Sequence, residues 1–181
     1  MTARELEEFK ALRDTIRERG TARHWIVVVG LAVWAALALV VSSMPAAPLL
    51  TLVPLLMLLA VFEVVFTLHT GVERVGRYLQ VFHERPDDAA AWEQVAMSYG
   101  RSFKGGGIDA LFSPVFVSAT IFNLVPLILA APVPIEWAVV SMIHALVVAR
   151  IWSARRQAGR QRATDLERFT QLKAAAGHLR A

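Results

Sequence analysis

The stretch VFEVVFTLHTGVERVGRYLQVFHE, residues 61–84, begins as apolar as a membrane span and ends as a charged amphipathic helix. Its apolar half contains one carboxylate, Glu63, among valines and phenylalanines. In the second half, apolar residues recur at the spacing of one helix face, so the span is predicted to continue as a stalk beyond the membrane. The residues of this face are Val72, Val75, Leu79 and Phe82.

The composition of the whole chain indicates that its solvent is a lipid bilayer. Of the 181 residues, 56% are hydrophobic and only 19% are charged, which is too apolar for a soluble domain of this size. No charged residue lies between Arg23 and Glu63, and a second uncharged run covers residues 110–135. Crossing the hydrocarbon core takes roughly 20 apolar residues in a helix, so both runs are long enough to span it. The absence of cysteine excludes disulfides and thiolate chemistry.

The two apolar regions are each predicted to form a helical hairpin. The links inside them, residues 42–48 and 131–134, are short and rich in proline, which is typical of tight turns. The predicted fold class is therefore an all-α membrane protein, with four transmembrane helices as two hairpins and with amphipathic cytoplasmic helices. The four predicted spans are residues 25–41, 49–68, 110–131 and 135–152.

The distribution of basic residues predicts how the chain crosses the membrane. Of the 19 Lys and Arg, six precede the first span, five lie between the second and third spans, and eight follow from Arg150 onward. The two hairpin links contain none. Basic residues near span ends are retained in the cytoplasm. We therefore expect a multi-pass protein of the cell (inner) membrane with both termini cytoplasmic, since a soluble helical protein would not segregate its charge so completely.

The cytoplasmic segments are predicted to be helices of their own. TARE (2–5) and TDLE (164–167) have the Thr-x-x-Glu pattern of a capping box, and Gly20 stands where the first helix would end. Another helix is predicted after Pro86, with Trp92, Val95, Ala96 and Tyr99 on one apolar face. The predicted division of the chain is 1–23 as a cytoplasmic amphipathic helix, 24–70 as the first hairpin, 71–109 as a cytoplasmic stalk and helix, 110–152 as the second hairpin, and 153–181 as a basic tail helix.

Four residues are predicted to form a polar layer inside the membrane. Counting inward by roughly seven residues from the cytoplasmic ends of the four spans reaches Gly30, Glu63, Ser118 and His144, which puts all four about 10 Å below one membrane surface. A carboxylate at that depth should face the bundle, because exposing it to lipid costs a few kcal/mol. We therefore predict that Glu63 pairs with His144, with Ser118 as a further hydrogen-bond partner and Gly30 allowing close approach of the first span.

Pro54 and Pro126 are predicted to interrupt their spans, because they lie equally far from the outer ends of the second and third spans and each removes a backbone hydrogen bond. Such breaks serve either as packing kinks or as part of the lining of a path for substrate or ions. The sequence leaves both interpretations open.

Several chemical sites are disfavoured, and no cofactor or metal is predicted. His69 and Glu73 share a helix face without a third ligand, and a bis-histidine haem would need His69 and His144 at one depth, whereas they differ by about 12 Å. A triad is disfavoured because no sharp-turn nucleophile motif surrounds Ser118. Nucleic acid is not predicted either; contact with anionic lipid headgroups better explains the basic run of Arg150, Arg155, Arg156, Arg160 and Arg162.

Function is predicted at the level of class. A non-enzymatic accessory or scaffold subunit of a larger membrane complex is favoured, because the cytoplasmic helices with apolar faces imply contacts with other membrane protein subunits. The alternative is a small oligomeric pore or transporter, built from copies of this chain, that uses the Glu63 layer for cations or protons. An intramembrane enzyme is disfavoured, since no nucleophile motif or oxyanion donor is identifiable.

Overall fold

The computed structural model of the protein describes residues 2–44, 48–84, 91–96 and 111–178. Within these residues the chain is helical and contains no strand, which confirms the all-α prediction. The helices are α1 (Ala3–Ser42), a 3₁₀ turn (Pro48–Thr51), α2 (Leu52–Phe82), α3 (92–96), α4 (Ser113–Phe122), α5 (Val125–Leu129) and α6 (Pro134–His178).

Three of the described helices are long and apolar enough to cross a membrane: Ala3–Ser42, Pro48–Phe82 and Pro134–Ala176. They contain the first, second and fourth predicted spans. The region predicted as the third span is instead divided between α4 and α5, which together form the shorter apolar segment Ser113–Leu129. The structure therefore supports a membrane protein with three helices of spanning length.

The long helices are more continuous than the sequence pattern indicates. The predicted capping box at Thr2 is present: the Thr2 amide donates to Glu5 at 2.6 Å, and the Glu5 amide donates to the Thr2 hydroxyl at 3.3 Å. The predicted helix end at Gly20 is wrong, because α1 runs through it to Ser42. The predicted start at Thr164 is also wrong, because Thr164 lies inside α6 and donates to the Arg160 carbonyl. A single glycine or a single threonine is weak evidence for a helix end or start when tertiary packing supports the whole helix.

The two prolines occupy different settings. Pro54 is the third residue of α2, where a missing amide N–H removes no bond from the helix interior. The predicted interruption at Pro54 is therefore wrong, because Pro54 lies in the first turn of α2. Pro126 is the second residue of α5 and follows the turn at Asn123 and Leu124, so the predicted break in this region is present. This turn between α4 and α5 positions the buried side chain of Asn123.

The chain forms two compact units, and α1, α2 and α6 contribute residues to both. The first unit comprises Met1–Ala22, Leu68–Ile108 and Gln157–Ala181, and the second comprises Arg23–Thr67 and Asp109–Arg156. The core of the second unit is apolar and includes Phe62 and Phe116, whose rings meet edge to face at 5.2 Å. Its largest fully buried aliphatic side chains are Leu55, Leu58, Leu127, Ile151, Val65 and Val140.

The first unit packs α2 against parts of α1 and α6. As predicted, α2 continues without interruption to Phe82, and Leu79 of its apolar face is fully buried. Phe82 stacks on Tyr78 at 4.7 Å, and the Phe169 ring of α6 meets Tyr78 edge to face at 5.6 Å. The apolar face predicted for the helix after Pro86 does not pack within the first unit. Trp92, Val95 and Ala96 are exposed, whereas Ala91 and Glu93 are buried; Tyr99 lies outside the described residues.

Candidate functional site

The Glu63 carboxylate of α2 is bound by Arg150 of α6. Nε of Arg150 lies 2.7 Å from Oε1, and its Nη2 donates to Oε2 at 2.8 Å. This two-point contact matches the planar guanidinium to both carboxylate oxygens, which is a strong geometry for an ion pair. The guanidinium also lies 4.9 Å from the ring centroid of Phe66. The charge that the sequence places in an apolar run is therefore neutralised from the facing helix.

The structure replaces the predicted pair of Glu63 with His144 by two other contacts. Arg150, which we expected to reach toward the headgroups, is directed to Glu63, and His144 is bonded to Asn123. A guanidinium outcompetes an imidazole for a carboxylate because it is always charged and offers two parallel donors. Matching residues by depth along the helices misses this, because it ignores the direction and the length of the arginine side chain.

Asn123 is the centre of a buried hydrogen-bond network in the second unit. Its side-chain oxygen accepts from the Trp34 indole N–H at 3.1 Å, and its amide nitrogen donates to the Thr51 carbonyl at 2.9 Å. The same amide nitrogen lies 3.1 Å from Nε2 of His144. Asn123 has no exposed surface, and His144 is 3% exposed. One side chain thus links α1, the 3₁₀ turn and α6 at the point where α4 ends.

The network determines which nitrogen of His144 carries a proton. Indole N–H is only a donor, so the Asn123 oxygen must face Trp34 and its NH₂ must face His144. Nε2 of His144 therefore accepts, and Nδ1 donates to the Val140 carbonyl at 2.8 Å. Both ring nitrogens and all three positions of the Asn123 amide are satisfied with His144 neutral. This arrangement buries polar groups without burying any charge.

The other two residues of the predicted layer lie in different environments. Gly30 is buried against α2, and a Cβ at this position would lie 2.6 Å from both γ carbons of Val61. The close approach predicted for Gly30 is therefore present, with Val61 as the neighbour. Ser118 is exposed and lines a shallow apolar groove with Leu31 and Trp34. The hydrogen bonds of Glu63 and His144 described above do not involve Ser118.

Buried charges are concentrated in the first unit. Glu93 of α3 forms ion pairs with Arg13 of α1 at 3.0 Å and with Arg77 of α2 at 3.1 Å. Arg77 also donates to Gln80 at 2.8 Å. Burial raises the pKa of the Glu93 carboxyl above its ordinary value, while Arg13 and Arg77 act in the opposite direction. Gly76 allows this contact, because a Cβ there would lie 2.8 Å from a Glu93 carboxylate oxygen.

The start of α3 is capped from α2. Oε1 of Glu84 accepts from the Glu93 amide at 2.8 Å, and Oε2 accepts from the Gln94 amide at 3.2 Å. These amides belong to the first turn of a helix, which has no carbonyl partners of its own. A carboxylate there also opposes the positive end of the helix dipole. Glu84 and Glu93 together hold α3 on its buried side, while the exposed fraction of Trp92 is 63% and that of Val95 is 49%.

The basic run contains two arginines that bind carboxylates and three that are exposed. Arg162 binds Glu73 at 2.6 Å, so it is held by a carboxylate as Arg150 is. Arg155, Arg156 and Arg160 are exposed, and their contact with anionic headgroups stays a prediction. Glu73, weighed above as a metal ligand with His69, has this arginine as its partner. Within the described ranges, no group of three or more His, Cys, Asp or Glu is placed to hold a metal ion.

Comparison of the chain with protein-family models, with curated proteins and with solved structures finds no match in any of the three. Functional inference therefore rests on the sequence and on this geometry.

Sequence reasoning missed the residues that the structure brings together most closely. Asn123 is the only asparagine in the chain and stands in an uncharged run just before Pro126, so its type and position were a usable signal. Trp34 gave no such signal, because an indole in a span is also typical of simple apolar packing. Glu93 was not singled out from the sequence, because the apolar spacing of Trp92 and Val95 drew attention to the other face of its helix.

Proposed function

We propose that the protein is a non-enzymatic integral membrane protein that acts as an accessory or scaffold subunit of a larger membrane complex. In this proposal it lies in the cell (inner) membrane with both termini cytoplasmic, and its partners are other membrane protein subunits. The observation that carries the proposal is the exposed apolar face of α3. Exposed tryptophan next to exposed valine is typical of surfaces that bind another protein.

The way α3 is held supports this reading. Glu84 caps its first turn, and Arg13 and Arg77 bind Glu93, so charged contacts fix the side of α3 that carries Glu93. The Trp92 side is left for a partner. A rigid aromatic side chain costs little conformational entropy when it is buried in an interface, which is why tryptophan is frequent among residues that dominate binding energy.

The mass of the complex extracted from membranes in mild conditions tests the proposal. Unrelated subunits should add mass that is not a multiple of the 20.0 kDa chain. Trp92→Ala should weaken their association by about thirtyfold, equivalent to about 2 kcal/mol. Trp25→Ala is the matched control, since Trp25 is 64% exposed but belongs to the apolar unit. A monomer in both cases would contradict the proposal.

The orientation is tested by cysteine labelling, for which the chain has no native cysteine to remove. Cysteine at Ser43 or Pro132 should react with an impermeant reagent applied from outside, and cysteine at Gly20 or Gly159 should react only after the membrane is opened. Labelling of the Gly159 position from outside would overturn the proposed topology.

The alternative function is a small oligomeric pore or transporter for cations or protons. It is favoured by the partial exposure of the Glu63 and Arg150 side chains, which are 42% and 30% exposed. Charges at the surface of an apolar unit would be covered if copies assembled around them. Complex masses that are exact multiples of one chain, together with ion flux that Glu63→Gln abolishes, would favour this alternative over the accessory subunit.

A further inference from the structure

An open apolar groove of about 670 Å³ lies between α4 and α6 in the second unit. Its floor is low because α6 contributes small side chains one helical turn apart, Ala145 and Ala149. Ile121 and Leu124 line the opposite wall. Trp152, with 61% of its surface exposed, lies farther along the same face of α6. Thr120, Ser141, His144 and Ser153 also line the groove. Its exposed wall from Ala145 to Trp152 is mostly apolar and contains no Asp, Glu, Lys or Arg, so it suits a hydrocarbon ligand.

The groove has a cationic end. Arg156 lines it and is exposed, whereas Arg150 and Arg162 are held by carboxylates. From Ala145 to Arg156, α6 rises about 16 Å at 1.5 Å per residue. One leaflet of the hydrocarbon core is about 15 Å deep, half of the roughly 30 Å total. With Arg156 at headgroup level, the apolar floor therefore extends about as deep as a lipid chain in the same leaflet.

We propose that this groove binds one acyl chain of an anionic phospholipid, with the phosphate of that lipid at Arg156. The inference rests on the proposed placement in a membrane and goes further, because it assigns one arginine and one groove to one lipid molecule. Arginine is suited to a phosphate oxygen pair, and Trp152 is suited to the boundary between chain and headgroup.

Charge favours a lipid over a second copy of the chain. Eight of the 19 basic residues lie from Arg150 onward, so a copy inserted in the same orientation would bring its own basic segment to the level of Arg156. Like charges at one level repel each other, whereas an anionic headgroup neutralises Arg156. The ligand is therefore an amphiphile with a negatively charged head.

Quenching of Trp152 fluorescence tests the proposal on the full chain. The protein is reconstituted in phosphatidylcholine vesicles that contain a minor fraction of either brominated phosphatidylglycerol or brominated phosphatidylcholine. The Trp152 contribution is the difference between the wild type and Trp152→Phe. We expect its quenching to indicate about fivefold tighter binding of the anionic lipid, the preference that one basic side chain near the surface provides.

Two matched pairs of variants locate the ligand. Arg156→Gln should remove the preference, whereas Arg155→Gln removes the same charge one residue away and should retain it. Ala149→Leu fills the floor and should reduce quenching by both lipids, whereas Ala138→Leu lies outside the groove and should not.

Each contrary result has a separate meaning. An equal loss in the Arg155 and Arg156 variants would mean diffuse attraction to the membrane and would overturn the site. Absence of Trp152 quenching, with a change of oligomer mass in Ala149→Leu, would mean that a helix of a second copy occupies the groove. If brominated phosphatidylcholine fails to quench any tryptophan of the protein, the membrane placement itself is wrong, and the proposed function fails with it.

Discussion

Asn123 in the second unit and Glu93 in the first are both buried polar side chains that join other helices. Asn123 binds an indole, a backbone carbonyl and an imidazole, none of which is charged in the observed arrangement. Glu93 binds two guanidinium groups. A neutral network costs little to keep away from water, whereas each buried ion costs several kcal/mol that its partner must offset. The second unit, which contains the uncharged runs, is therefore joined by neutral hydrogen bonds at Asn123. The first unit is joined by ion pairs at Glu93.

The largest effect is expected where an ion would lose its partner. Glu93→Leu leaves Arg77, which is 3% exposed, without its carboxylate. We expect the free energy of unfolding of the first unit to fall by about 3–5 kcal/mol, measured by hydrogen exchange of residues 3–22. The exposed control Glu7→Leu should change it by less than about 0.5 kcal/mol. Adding Arg77→Met to Glu93→Leu should recover most of the loss, and failure to do so would show that charge is not the cause.

The corresponding change in the second unit should cost somewhat less. Asn123→Leu removes three buried polar contacts, each worth about 1 kcal/mol, so we expect a loss of about 3 kcal/mol in denaturant unfolding. Ser118→Ala removes an exposed hydroxyl from the same helix pair and is the control. Because no ion is involved, the loss should be the same at low and high salt. A strong salt dependence would contradict the distinction between the units.

Packing in the second unit gives the third effect. A side chain at Gly30 would meet Val61 at 2.6 Å, so Gly30→Leu should lower the free energy of unfolding by about 1–3 kcal/mol. Val61→Ala removes the obstructing γ carbons, and combining it with Gly30→Ala should cost less than the two single changes added together. Strictly additive costs would mean that the two helices do not meet at this pair.

The Glu63 and Arg150 pair tests an ion pair inside the apolar unit. Its side chains are partly exposed, so screening reduces its strength, and we expect a coupling of about 1 kcal/mol or less. The double-mutant cycle uses Glu63→Gln and Arg150→Gln. Replacing Arg150→Gln by His144→Ala in the same cycle should give additive effects with Glu63→Gln, because His144 bonds Asn123 and Val140 instead.

The smallest effect is expected in the pH profile. Burial raises the pKa of Glu93, so the folded state binds this proton more tightly than the unfolded state. Stability of the first unit should therefore fall as the pH rises from the ordinary value of 4.5 through the raised pKa, and level off above it. The slope should be shallow, since Arg13 and Arg77 oppose the shift. Glu93→Gln should remove this part of the slope, whereas Gln94→Ala keeps the carboxyl and should keep it.

The sequence predicts the positions of the long helices better than the turns between them or the contacts between their side chains. Long uncharged runs and the continuous stripe from Val72 to Phe82 specify α1, α2 and α6, because hydrophobic periodicity is a property of many residues together. The division of the third apolar region at Asn123 depends on one residue and one following proline. The orientation of Glu93 depends on Arg13 and Arg77 of two other helices, which the local apolar spacing at Trp92 does not indicate.

The partners of Glu63 and His144 show a second limit. Counting residues gives the depth of each side chain along its helix but not the direction in which it points or the length of its reach. Arg150 was placed at the end of a span, yet its long side chain binds both carboxylate oxygens of Glu63, one through a hydrogen bond and the other through an ion-pair contact. The predicted contact of Gly30 with a neighbouring span needed no side-chain direction, and the structure contains it.

The single asparagine also makes the second unit accessible to nuclear magnetic resonance. Labelling only asparagine with ¹⁵N would place one side-chain NH₂ group of the 181-residue chain in the spectrum, and that group faces the Thr51 carbonyl and Nε2 of His144. Its two protons give separate signals because the amide C–N bond rotates slowly, and each proton has its own acceptor. Protonation of His144 would remove the acceptor of one proton only and should shift that signal relative to the other, so a single pair of signals would report the charge of this histidine.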